Sequence, residues 1–211
     1  MRDIADIRKE YKLKSFQEDE VKADPFIQFN AWWGEAVESN IEEVNAMALA
    51  TADRDGKPSV RIVLLKGFDT NGFIFFTNYE SRKASDMDAN PNVSLVLFWK
   101  ELERQVRIEG EVHKIPGAES DAYFKSRPSG SQISAWCSNQ SAVIDSRETL
   151  EKKSFELEKK FSDQDIPRPH FWGGYVVKPT LIEFWQGRPN RLHDRIRYKY
   201  DNKWVIERLS P

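Results

Sequence analysis

Apolar positions recur along this chain with two different periods. Phe26, Phe29, Trp32, Trp33, Ala36 and Val37 follow helical spacing, which predicts an amphipathic helix of about three turns starting at Pro25. Residues 1–24 ahead of it are charged and weakly periodic. They are expected to form a mobile arm, with a short helical stretch near Ile4 to Tyr11. Beyond the helix the period changes. Val44 to Ala52 is strand-like, Asp55-Gly56 is a tight-turn signal, and Ser59 to Lys66 returns as a strand. Asn71-Gly72 signals a second turn before the strand Phe73 to Thr77. Ser81 to Ala89 is expected as a short helix and Val93 to Trp99 as a continuous apolar strand. Arg104 to Ile115 alternates, with Val106, Ile108 and Val112 on one face.

The next stretch is helical. Glu119 to Ser126 and Ser131 to Cys137 are short helices separated by Pro128 and Gly130. Ser146 to Phe161 is a longer one, N-capped by Ser146, with Leu150, Leu157 and Phe161 on one stripe. Three strands then close the chain: Tyr175 to Trp185, Arg191 to Tyr200 and Trp204 to Leu209, with Asp201-Asn202 as the last turn. About seven strands, mostly joined as hairpins with helices inserted late, predict an α+β fold that is mainly β, an antiparallel barrel with peripheral helices. Neither GxGxxG nor GxxxxGK[ST] occurs, which disfavours the common nucleotide folds. Without repeats or low-complexity linkers, residues 25–211 are expected to form a single domain.

Composition sharpens this picture. Apolar residues make up 39% of the 211, with 13 Phe, 7 Trp and 6 Tyr, enough for a substantial core. The 32 basic and 34 acidic residues leave a net charge of −2. That balance argues against a nucleic-acid surface or a polybasic membrane patch. Local clusters of cations therefore read as sites. The one cysteine, Cys137, cannot form an internal disulfide, and a reducing compartment is expected. The N-terminus is too charged for a signal peptide, and no apolar run approaches membrane-span length. These features predict a cytoplasmic protein.

Four runs concentrate chemistry. Ser81-Arg82-Lys83 follows a strand and opens a helix, where free N–H groups favour an anion; a solvated helix capped by Ser81, with two surface cations, is the competing reading. Arg61 and Lys66 bracket four aliphatic residues. On a regular strand they face opposite sides, so one site can use both only through a bulge, a strand end or a subunit interface. Tyr123 and Arg127 share a helix face, and Ser131 lies at the expected start of the next helix. Together they suit a phosphate, or they are a packing pair and an ordinary cap. Read as a strand, Arg191-Leu-His193-Asp-Arg195 projects two guanidiniums and an imidazole to one face. Such a face would depress the histidine pKa unless an anion lies there. Trp185 precedes this run, either packed on a planar cofactor or filling the core. Gln105, Gln140 and Ser141 can read the polar edge of a heterocycle. The three histidines, His113, His170 and His193, lack metal-site spacing, so no metal is expected.

In this order the runs RIVLLK (61–66), FFTN (75–78), SRKA (81–84), ERQVR (103–107), YFKSRP (123–128), SQISAW (131–136), NQS (139–141), FWGG (171–174), IEFWQG (182–187), RLHDR (191–195) and RLSP (208–211) resemble the pyridoxamine (pyridoxine) 5′-phosphate oxidase family. The resemblance spans about Asp24 to Pro211. It implies an FMN-binding split β-barrel of Greek-key-like antiparallel strands and a homodimer with FMN at the subunit interface. By similarity, Arg61, Ile62, Val63, Leu64, Leu65, Lys66, Phe76, Thr77, Arg82, Lys83, Gln105, Gln140, Ser141, Trp185 and Arg195 bind FMN. Lys66, Tyr123, Arg127 and Ser131 would hold the substrate phosphate, with Arg191 and His193 near the pyridine ring and the reacting carbon. Arg8 and Tyr11 match an N-terminal segment that covers the substrate. The implied reaction oxidises pyridoxamine 5′-phosphate or pyridoxine 5′-phosphate with O₂ to pyridoxal 5′-phosphate and H₂O₂. The competing readings are a split-barrel flavin reductase, a non-catalytic FMN- or pyridoxal-phosphate-binding protein, and an interaction domain. Phe76 stands where the family often has tyrosine, and Gly130 where it often has a charged residue.

Overall fold

The computed structural model describes residues 3–6 and 9–211. Met1, Arg2, Ile7 and Arg8 lie outside the described residues, and with them part of the expected helical stretch Ile4 to Tyr11. Ile4–Asp6 forms a single 3₁₀ turn.

Helix α1 (Pro25–Glu38) starts where the pattern puts it. The Asp24 carboxylate accepts the N–H groups of Phe26 at 2.7 Å and Ile27 at 3.1 Å, and proline at the first helical position leaves no N–H to satisfy. Phe29, Trp32 and Ala36 are buried, whereas Val37 faces solvent. The strands are β1 (Ala46–Ala52), β2 (Pro58–Leu64), β3 (Gly67–Asp69), β4 (Gly72–Asn78), β5 (Asn92–Trp99), β6 (Arg104–Lys114), β7 (Trp172–Gln186), β8 (Asp194–Asp201) and β9 (Lys203–Arg208). The remaining helices are α2 (Arg82–Ala89), α3 (Gly117–Ser126), α4 (Ser129–Cys137) and α5 (Arg147–Lys160). The strands form one sheet in the order β2-β1-β5-β6-β7-β4-β3, with β8 joined to β7 and β9. β3–β4, β4–β7, β7–β8 and β8–β9 pair antiparallel. The path does not close on itself among the described residues. The mainly antiparallel α+β expectation holds, and among the described residues the short β3 is added to the strands expected.

Four local expectations change. β2 stops at Leu64 and a short β3 follows it, which ends the regular alternation before Lys66. The strand expected from Arg191 starts only at Asp194, after a 3₁₀ turn over Pro189–Arg191. Asn190 and Arg191 hold φ of 57° and 62°, and Pro189 cannot donate to a ladder. Arg191, His193 and Arg195 therefore do not share one strand face. Ser81 and Ser146 occupy N-cap positions, yet neither hydroxyl caps its helix. No residue of α5 is fully buried; Leu150 and Leu157 are half-buried and only Phe161 beyond them is buried.

The chain divides into two compact units, and β1, β5, β6 and β7 run through both. The first comprises Met1–Leu49, Ser94–Gly110 and Pro179–Pro211; the second comprises Ala50–Val93 and Glu111–Lys178. In the first, Phe16, Trp32 and Phe184 form an aromatic core, with ring centroids 5.0 Å apart for Phe16–Trp32 and 5.2 Å for Trp32–Phe184. In the second, Phe73, Phe75, Phe124 and Tyr175 are buried, and Phe75 stacks on Tyr175 at 5.7 Å.

Candidate functional site

In the second unit, β2, the end of β4, the start of α2 and helices α3 and α4 surround a cavity of about 950 Å³. Arg61, Lys66, Arg82, Lys83 and Arg127 line it, and no aspartate or glutamate does. On β2, residues 59, 61 and 63 are half-buried while Val60, Ile62 and Leu64 are exposed. Lys66 reaches the same cavity because the strand ends before it, so the parity conflict between Arg61 and Lys66 is resolved at a strand end within one chain. Leu65 is buried and does not line the cavity.

Arg61 is held from behind. Its guanidinium donates to Thr51 Oγ1 and to Ser59 Oγ, each at 2.8 Å, and Asp86 lies 3.8 Å away. Thr51 in turn donates to Asp86 at 2.7 Å. The Lys83 ammonium donates to Gln140 Oε1 at 2.6 Å, Thr77 Oγ1 at 3.0 Å and Ser81 Oγ at 3.1 Å. Burial, then the charge of Arg61, pushes the Lys83 pKa down to about 8. Ser141 Oγ accepts the Arg82 N–H at 3.2 Å, which ties the Gln140-Ser141 loop to the start of α2. A cluster of like charges around open space, with one member's charge already weakened, suits an anion that restores it.

A stack of rings lies beside these cations. Phe76 and Tyr123 are 3.9 Å apart at 21°, and Phe76 and Trp172 are 5.5 Å apart at 12°. Gly174 pairs with Phe76 across β4–β7, and a Cβ there would come within 2.8 Å of the Phe76 ring. Glycine at 174 thus makes room for the stack. The Arg127 guanidinium lies 4.6 Å from the Trp172 ring centroid, and its Nη1 is buried without a hydrogen-bond partner. Burial holds its pKa below the ordinary value, offset in part by Tyr123. The Lys66 ammonium lies 6.0 Å from the Tyr123 ring centroid. Ser131 is the third residue of α4 rather than its start, and it lines the cavity. An orphaned guanidinium N–H beside a phenol, a hydroxyl and an ammonium forms a second anion-ready group.

The first unit holds a different cluster. Trp185 and His193 approach to 4.6 Å, and Tyr11 meets both edge-on at 5.6 Å and 5.9 Å. The Arg188 N–H donates to His193 Nδ1 at 3.1 Å, so the neutral ring carries its proton on Nε2. Burial, then Arg191, holds the His193 pKa below its ordinary value. Arg191 itself is exposed. Arg195 donates to Glu183 at 2.7 Å and to the Ser210 carbonyl at 2.9 Å, and Arg107 also pairs with Glu183. Burial would raise the Glu183 pKa, but hydrogen bonds from Arg195 and Arg107 and their charges bring it below the usual carboxylate range. Gln105 is half-buried on β6, next to Arg104, whose guanidinium lies 4.2 Å from the Trp32 ring centroid.

Most expected residues thus fall into two groups. Arg61 to Leu64, Lys66, Phe76, Thr77, Arg82, Lys83, Tyr123, Arg127, Ser131, Gln140 and Ser141 line one cavity. Tyr11, Trp185 and His193 form the other group, with Arg191 and Arg195 nearby in sequence; Arg8 lies outside the described residues. Sequence reasoning missed Thr51 and Asp86 behind Arg61, Trp172 in the ring stack, and Glu183 and Glu103. Of these, Trp172, Glu183 and Glu103 fell within the runs FWGG, IEFWQG and ERQVR, whereas Thr51 and Asp86 fell in none.

An open antiparallel sheet carrying a cation-lined cavity beside a ring stack suits an anionic ligand with a planar ring. PhzG from Burkholderia lata 383, solved in complex with tetrahydrophenazine-1-carboxylic acid, superposes with a TM-score of 0.87 at 31% identity, over 92% of this chain and 95% of that one. A pyridoxamine 5′-phosphate oxidase-related, FMN-binding protein from Nostoc punctiforme shares the fold at a TM-score of 0.72 and 17% identity, over 90% of this chain and 100% of that one. The family model for pyridoxamine 5′-phosphate oxidase matches residues 34–160, and that for the pyridoxine 5′-phosphate oxidase C-terminal dimerisation region matches 172–211. The pyridoxine/pyridoxamine 5′-phosphate oxidase of Salinibacter ruber is 55% identical, with 100% of both chains covered. That of Acaryochloris marina is 54% identical, over 99% of this chain and 95% of its own. The chain belongs to the pyridoxamine 5′-phosphate oxidase family.

Proposed function

We propose that this chain oxidises pyridoxamine 5′-phosphate and pyridoxine 5′-phosphate to pyridoxal 5′-phosphate with FMN and O₂, yielding H₂O₂ and, from the amine, ammonia. The observation that carries this reading is the cavity with five lining cations and no lining carboxylate, beside a ring stack. Its volume lies within the range of pockets that enclose a cofactor and a small substrate. The cations fall into two groups, which suits two phosphate monoesters.

Arg61, Arg82 and Lys83 hold the FMN phosphate, supported by Thr77, Gln140 and Ser141; Lys66, Tyr123, Arg127 and Ser131 hold the substrate phosphate. Gln105, Trp185 and Arg195 complete the flavin site at the interface of a homodimer. The dimerisation-region match supports that assembly, as does the exposed apolar face of β2, where Val60 and Ile62 are 68% and 66% accessible. FMN, held there, would supply the two-electron redox chemistry for oxidation at the substrate's C4′, with O₂ as the final acceptor. The protein's part is orientation. Neutral His193 offers Nε2–H as a donor at the ring, and Arg191 positions the reacting carbon. Residues 25–211 act as one catalytic domain in the cytoplasm, with the segment before it anchored through Phe16. No helix among the described residues is long and apolar enough to cross a membrane.

An anaerobic absorbance experiment tests this. Purified protein reconstituted with FMN should bleach on addition of pyridoxamine 5′-phosphate and recover in air with release of H₂O₂. A bound flavin that ignores the substrate would reject the oxidase reading.

A further inference from the structure

The arm that carries Tyr11 is fastened by a buried carboxylate. Glu103 follows the 3₁₀ turn Lys100–Leu102 and holds φ of 56°, the left-handed region in which a non-glycine residue is strained. It is 2% exposed. Its Oε2 accepts the N–H groups of Lys12 at 2.8 Å and Leu13 at 3.1 Å, and its Oε1 lies 3.2 Å from the Lys9 ammonium. Consecutive amides converging on one carboxylate oxygen make a compact anion receptor. Burial would raise the Glu103 pKa, but the Leu13 amide, Lys9 and the Lys12 amide outweigh it and leave the group below its ordinary value.

The same residue grips the other side of the cluster. The Glu103 carbonyl accepts the Gly187 N–H at 2.7 Å, at the end of the strand that carries Trp185. Tyr11 packs directly over Gly187. A Cβ at 187 would come within 2.7 Å of Tyr11 Cγ and within 3.1 Å of Glu103 Cβ. Backbone and side chain of one residue thus set both walls of the gap in which the Tyr11 ring meets Trp185 and His193.

We propose that Glu103 is a positioning residue: by clamping Lys9, Lys12 and Leu13 it seats Tyr11 against Trp185 and His193, and so closes the substrate-ring side of the site. This rests on the reading that Trp185 and His193 face the flavin and substrate. It assigns a role to a residue that touches neither.

The test uses Glu103→Gln in the full FMN-loaded chain. Glutamine keeps the size and one acceptor but loses the charge. Tryptic cleavage after Lys9, Lys12 and Lys14 should quicken, with the melting temperature nearly unchanged. KM for pyridoxamine 5′-phosphate should rise roughly tenfold, the size expected for one lost charge-assisted hydrogen bond, while kcat stays within about twofold. In a double-mutant cycle, Glu103→Gln should add little to Tyr11→Ala, because both act through one ring. Unchanged cleavage, an unchanged KM, or effects that simply add would overturn the proposal. The cleavage readout needs no turnover. A chain without oxidase activity but with faster cleavage in Glu103→Gln would refute the functional reading and leave the clamp standing.

Discussion

The cavity of the second unit and the ring cluster of the first treat charge in opposite ways. Around Trp185 and His193, arginines are matched by carboxylates: Arg195 and Arg107 share Glu183, and Arg188 and Arg208 share Asp194. Around the cavity, five cations line the space, and Asp86, which does not line it, sits behind Arg61. Arg127 keeps a buried Nη1 unpartnered, and Lys83 is driven toward neutrality. Unmatched charge marks where an anion has to arrive. Matched charge marks where side chains are held still so that rings are presented in fixed orientation. On the proposed function, anchoring and chemistry fall to different residues, and substitutions should separate them.

The largest separation should come from removing two cations at once. Arg61→Met with Lys83→Met is expected to weaken FMN binding roughly 100-fold or more, since each charge-assisted hydrogen bond is worth about 1.5–3 kcal/mol. Flavin fluorescence quenching measures this. Arg127→Met should act on the other phosphate. KM for pyridoxamine 5′-phosphate should rise by roughly 10–100-fold with FMN affinity unchanged, which steady-state kinetics on the holoenzyme would check.

A pH titration gives a smaller effect with a defined sign. An anion favours the charged form of Lys83, whose pKa without one is about 8. Below that value the ammonium is already present. Above it, binding must take up a proton, so FMN affinity should fall as pH rises through about 8, by up to roughly tenfold per pH unit. Lys83→Met should remove the inflection. The smallest effect is expected for Phe76→Tyr, which retains the stack on Tyr123 and Trp172 and should change activity by less than about threefold.

How far the sequence showed this depends on the range of each interaction. The turns at Asp55-Gly56, Asn71-Gly72 and Asp201-Asn202 were legible because turn chemistry is local; Gly56 and Asn202 have positive φ as such turns require. The cavity cations were legible as runs, although the strand end that lets Arg61 and Lys66 converge was one alternative among several. Residues 191–193 were misread as strand because their alternating types hid the turn at Pro189 and the left-handed Asn190 and Arg191. Ser81 looked like a cap, but its hydroxyl donates to the Asn78 carbonyl at 2.8 Å. Glu183 and Glu103 lay within the IEFWQG and ERQVR runs, but nothing in the sequence showed what they bind. Their partners are distant in the chain, Arg107 and Lys12 among them, so only folding brings the charges together.

The most direct test of the division between anchoring and chemistry is anaerobic rapid mixing of FMN-loaded Arg191→Met with pyridoxamine 5′-phosphate, followed by flavin absorbance. The account predicts that FMN stays bound, that substrate still saturates the enzyme, and that flavin reduction slows by roughly 100-fold or more, as for loss of a positioning contact at the reacting carbon. Reduction at the wild-type rate, or loss of FMN from the variant, would contradict it.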